Sequence, residues 1–97
     1  MHGMEHRNIR FFGEVQGVGF RATALRIAQS LDLEGWVANC PDGSVEVDVE
    51  GNPDQLDLLV RRIRDSVPGR GITRENIVSG PALGTGGRGF HIRRLWC

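Results

Sequence analysis

Residues 13 to 21 read Gly13-Glu14-Val15-Gln16-Gly17-Val18-Gly19-Phe20-Arg21. Just upstream, Ile9, Phe11, Gly13 and Val15 fall on one face of a period-2 pattern, which predicts a first strand at about 7–15. Downstream, Ala24, Ile27, Ala28 and Leu31 recur at i, i+3, i+4 and i+7, which predicts a helix over roughly 21–32. The glycines between them allow a sharp bend from strand to helix. Such a bend aims its own N–H groups, and the unpaired N–H groups of the helix start, in one direction. Arg21 adds a guanidinium there, and phosphate or carboxylate suits its bidentate fork.

The rest of the chain extends this strand–helix unit. Gly35-Trp36-Val37-Ala38-Asn39 suits a second strand, and Cys40-Pro41-Asp42-Gly43 is a turn with the Asp-Gly signature. Val45, Val47 and Val49 alternate with Glu46, Asp48 and Glu50, so a third strand has one buried and one wet face. Asn52-Pro53-Asp54-Gln55 opens a second helix, with Asn52 as cap, Pro53 in the first turn and Gln55 placed to reach back. Leu56, Leu59, Val60, Ile63 and Val67 form its apolar stripe, and Pro68-Gly69 ends it. The stretch 69–89 is weakly patterned. Ile77-Val78 reads as a short extra strand, Gly84 to Gly89 as a flexible loop, and Phe90 and Ile92 as the final strand.

The order is β-α-β-β-α-β. Both helices need an apolar surface, and one sheet face can supply it. Right-handed crossovers then give an α+β, ferredoxin-like two-layer sandwich, an antiparallel sheet with two helices on one face. One domain over residues 1–97 is expected, with 1–6 flexible.

Composition narrows the function classes. Hydrophobic residues make up 39% and charged residues 25%, the balance of a globular domain. Lys plus Arg equals Asp plus Glu at 12 each, which argues against a general nucleic-acid binder. No apolar run approaches membrane-spanning length, and residues 1–6 lack the apolar core of a secretory signal. A cytoplasmic protein with no nucleic-acid or membrane partner is expected, and a single small core suits a monomer. Cys40 and Cys97 lack metal-ligand spacing and read as reduced thiols in a cytosolic chain, although the terminal position of Cys97 leaves a bridge open.

The glycine turn on its own admits a purely structural bend or an anion cradle. Gly17-x-Gly19-x-x-Ala22 also matches part of a dinucleotide fingerprint, but the chain is short and its next strand enters a hairpin. No Gly-Lys-Ser/Thr follows, so it is not a Walker loop. Asn39 ends the second strand, which in this topology runs parallel to the first, so it shares an edge with the turn. It suits either a water-holding amide or an ordinary turn residue. Glu46, Asp48 and Glu50 read as a solvated strand face, and Arg61, Arg62 and Arg64 as a solvated helix face with Asp57 and Asp65. His2, His6 and His91 show no ligand spacing, so no metal is expected. Arg88-Gly89-Phe90-His91-Ile92 is faintly similar to an RNA-recognition motif. It sits on the last strand, however, and the third strand offers carboxylates that would repel RNA.

In combination the motifs are more specific. Val15-Gln16-Gly17-Val18-Gly19-Phe20-Arg21, Leu31-x-Leu33-x-Gly35-Trp36-Val37-x-Asn39, Asp42-Gly43-Ser44-Val45-Glu46 and Glu50-Gly51 together resemble the acylphosphatase family. The resemblance covers about residues 9–65 and, less closely, Gly89-Phe90-x-Ile92. It implies a ferredoxin-like enzyme that hydrolyses acyl phosphates to a carboxylate and inorganic phosphate, with no metal or organic cofactor. The family's signature arginine falls on Arg21 and its asparagine on Asn39. Its phosphate-cradling backbone falls on Gln16, Gly17, Val18, Gly19, Phe20 and Arg21. The chain departs from many members in having Ala24 where they carry Thr or Ser. A non-enzymatic phosphate-binding module, as in domains of larger maturation proteins, is the alternative.

Overall fold

The computed structural model describes residues 3–84 and 88–97. The elements run β1 (Glu5–Gly13), α1 (Phe20–Ser30), β2 (Glu34–Asn39), β3 (Val45–Gly51), α2 (Pro53–Asp65), a 3₁₀ turn (Pro68–Gly71), β4 (Ile72–Pro81) and β5 (Phe90–Ile92). The sheet order is β4-β1-β3-β2-β5. β3 pairs antiparallel with both β1 and β2, so β1 and β2 run in the same direction. Their C-terminal ends therefore share one edge of the molecule.

Alternation dictates the layers. Ile9 and Phe11 of β1 and Val45, Val47 and Val49 of β3 are fully buried on one sheet face. They meet Phe20, Ala24 and Ala28 of α1 and Leu56, Leu59 and Ile63 of α2 in one core. Deleting a buried leucine such as Leu59 would cost about 2–5 kcal/mol. α2 starts where its sequence indicates: Asn52 Oδ1 accepts the Asp54 N–H at 2.9 Å, with Pro53 in the first turn. The capping is done by Asn52. No bond from Gln55 completes a box among the described residues.

Three expectations change. The strand completing the β-α-β-β-α-β unit is β4, which pairs along β1, whereas Phe90–Ile92 is the added fifth strand. β4 carries no alternation because none of its ten residues is buried, so nothing in its sequence marks a core face. β5 pairs parallel with β2, so the sheet is mixed. Cys40 and Cys97 are bonded to each other. The C-terminal segment runs back along β2, where the Arg93 N–H reaches the Val37 carbonyl at 2.8 Å and the Cys97 N–H reaches that of Asn39 at 2.9 Å.

Smaller shifts have local causes. β1 takes in Glu5 and His6, which pair with Gly51 and Glu50, and it ends at Gly13 while Val15 stays buried beyond it. Pro68-Gly69 opens a 3₁₀ turn after α2 has ended. The Gly84–Gly89 loop falls largely on 85–87, outside the described residues.

Candidate active site

The turn of residues 16–19 hangs between two buried anchors, Val15 and Phe20. Phe20 packs on Phe11 of β1 with ring centroids 5.2 Å apart. Gly17 and Gly19 have φ of 76° and 84°, in the left-handed region. A methyl group at either would meet nothing within 4 Å, so backbone conformation, not space, calls for glycine here. Gly19 is also the N-cap of α1, which has no side-chain cap and no acidic residue in its first turn. The first helical bond runs from the Thr23 N–H to the Gly19 carbonyl at 3.1 Å. Among the described residues, the N–H groups of 16 to 22 have no acceptor in the protein.

Gln16 ties this turn to the next element. Its Nε2 donates to the carbonyls of Cys40 at 2.7 Å and Ser44 at 2.8 Å. That grip fixes the β2–β3 turn, where the N–H and hydroxyl of Ser44 both donate to Asp42 Oδ1, at 2.9 and 2.5 Å. The Ser44 hydroxyl bond, then its N–H bond, holds the Asp42 carboxyl below its ordinary range, with Arg10 nearby adding to the effect.

Asn39 sits at the end of β2, and its backbone is held by β3 and by Cys97. Among the described residues its side-chain amide has no partner, and neither does the half-buried Arg21 guanidinium. Both line one small cavity of about 170 Å³ with Gly17, Gly19, Phe20 and Ala22. No carboxylate lines it. Gln16 and Val18, whose backbone is expected in the cradle, are not among its lining residues. Gln16 is turned to the β2–β3 turn, and the Val18 side chain is 48% exposed. Ile92 and Arg94, from β5 and just beyond, complete the wall. Nothing in the sequence marks Arg94, because only the parallel pairing of β5 with β2 brings it to this edge.

The model of the acylphosphatase family matches residues 7–92. The chain belongs to the acylphosphatase family. It is 43% identical over 82 residues to an acylphosphatase of Yersinia pseudotuberculosis, covering 84% of this chain and 88% of that one. It is 40% identical over 70 residues to one from Thermococcus kodakarensis, covering 72% and 77%. Among solved structures, acylphosphatase from Bacillus subtilis superposes with a TM-score of 0.81 at 33% identity, covering 93% of this chain and 98% of that one. Full-length HypF in its phosphate- and nucleotide-bound form contains a similar domain, with a TM-score of 0.84 at 29% identity. That match covers 96% of this chain and 12% of the larger protein. The enzyme class follows: this is an acylphosphatase.

The other places where ligands gather differ in kind. Cys40, Glu46 and Cys97 are the one group of potential metal ligands among the described residues, and its two sulfurs are bonded to each other. A wider groove of about 330 Å³ lies on the open sheet face beside Trp36, where the acids Glu34, Asp48 and Glu50 are mixed with Arg88 and Arg93. No helix among the described residues is long and apolar enough to cross a membrane.

Proposed function

We propose that Arg21 and the N–H groups of the 16–21 turn hold the phosphoryl oxygens of an acyl phosphate while Asn39 orients the attacking water. Phosphoryl transfer needs little covalent help from a protein, so positioning and charge stabilisation supply most of the catalysis. The observation that carries this reading is a half-buried guanidinium without a protein partner, beside unpaired N–H groups and an unpaired amide, in a cavity free of carboxylates. Leaving such donors unmade is costly unless a ligand or water takes them.

The chemistry then closes without further groups. Water attacks phosphorus in line with the departing carboxylate oxygen. Asn39 cannot take the water's proton, since a neutral amide is not a base; the substrate phosphate accepts it. The carboxylate is a good leaving group and needs no acid. The products are a carboxylate and inorganic phosphate. We also read the protein as a cytoplasmic monomer.

Phosphate release from benzoyl phosphate by the purified chain, with no metal or partner added, tests the reading. Turnover is expected. Phosphate binding without turnover would favour a binding module instead.

A further inference from the structure

Arg94 is the second guanidinium on the wall of the phosphate cavity. It follows β5 directly, and its side chain is solvent-exposed with no hydrogen bond or ion pair among the described residues. Its backbone, by contrast, is held on both sides. Before it, Arg93 bonds the Val37 carbonyl, and its guanidinium lies 3.9 Å over the Trp36 ring. After it, Cys97 bonds the Asn39 carbonyl and is covalently joined to Cys40. A free cation on a fixed backbone at the mouth of an anion site is arranged to meet charge that arrives there.

Volume decides which part of a ligand Arg94 meets. Cavities that enclose drug-sized ligands run to about 300–1,000 Å³, and this one is about 170 Å³. A phosphoryl group and the reacting carbonyl fill it. The rest of the acyl group must pass the rim, where Arg94 stands while half-buried Arg21 lies deeper. Building on the phosphate-binding reading above, we propose that Arg94 is a specificity-determining residue that favours acyl phosphates whose acyl group carries a second anionic group, such as a carboxylate.

Titrating the oxidised chain by calorimetry with inorganic phosphate and with 3-phosphonopropionate, a phosphonate bearing a carboxylate, separates the two arginines. The wild type should bind 3-phosphonopropionate about fivefold more tightly than phosphate, the value of a solvent-facing ion pair. Arg94→Ala should erase that difference, weakening 3-phosphonopropionate more than phosphate, while Arg94→Lys keeps part of it. Equal binding of the two ligands by the wild type, or a loss in Arg94→Ala that is the same for both, overturns the proposal. In turnover, Arg94→Ala should lower kcat/KM more for a carboxylate-bearing acyl phosphate than for benzoyl phosphate. A wild type that hydrolyses neither substrate defeats the catalytic reading alone, since the binding comparison requires no turnover.

Discussion

The open face of the sheet and the edge where β1, β2 and β5 end both carry polar side chains. On the open face, Asn8 Nδ2 donates to Glu46 at 2.6 Å and Asp48 at 3.1 Å, and His6 lies 2.9 Å from Asp48. Glu50 is buried and accepts the Leu83 N–H at 3.0 Å. Arg7, near the same strand start, is clamped between Glu5 and Asp57, each at 2.6 Å. At the strand-end edge, the amide of Asn39 and the guanidiniums of Arg21 and Arg94 have no partners among the described residues. Carboxylates pair the polar groups of the open face and are absent from the cavity, so the donors of the site stay open. Polar groups that satisfy one another hold the sheet together, and donors left open on one cavity await a ligand.

The hardest way to break this comparison is Arg21→Ala. An arginine that stabilises charge on a transferring phosphoryl group is worth roughly 10³–10⁵ in rate, so benzoyl phosphate turnover should fall by that range and phosphate binding with it. Asn39→Ala should lower kcat by about 10²–10³, the cost of one aimed polar group, while inorganic phosphate still binds by calorimetry. Near-normal turnover in Asn39→Ala would remove its water-orienting role. Cys97→Ser cuts the tether that holds the C-terminal segment to the end of β2. The bond spans 57 residues, so its loss should reduce unfolding free energy by about 4 kcal/mol in the chain-entropy account, read from urea midpoints. The paired face should respond least. Asp48→Asn should change kcat/KM by less than about twofold, as expected for a surface substitution away from the chemistry. An effect there as large as that of Asn39→Ala would erase the distinction.

What the sequence shows of this arrangement follows from where burial leaves a pattern. β1, β3 and both helices were legible because each buries one face, and a buried face leaves a period of two or of 3.6. β4 was not legible, because an edge strand held mainly by backbone bonds to β1 leaves no such trace. Arg21 and Asn39 could be placed at one edge from topology alone, since a strand between β1 and β2 makes them parallel. Arg94 could not, because its position depends on a three-residue parallel pairing. The motif places the Gln16 backbone in the cradle, and its side chain serves the neighbouring turn. The cysteine pairing depends on the C-terminal segment folding back along β2, which no local spacing announces.

Asp42 lies between the two regions, in the turn gripped by Gln16, and gives the mildest test. In the unfolded chain its carboxyl titrates near the ordinary value of about 4. In the folded chain the Ser44 hydroxyl and N–H, with Arg10, hold it lower. Between those two values the unfolded chain binds more protons than the native one, so stability rises with pH across that window. The contribution is fully present above about pH 4 and is lost as pH falls through the folded value. Asp42→Asn removes the titration and keeps the turn's shape. The wild type should therefore melt slightly higher than the variant at neutral pH, and the gap should close in acid. A gap that stays constant from neutral pH into strong acid would mean that charge on Asp42 contributes nothing. The turn would then be held by its neutral bonds, those of Gln16 and the backbone pairs among Cys40, Gly43 and Ser44.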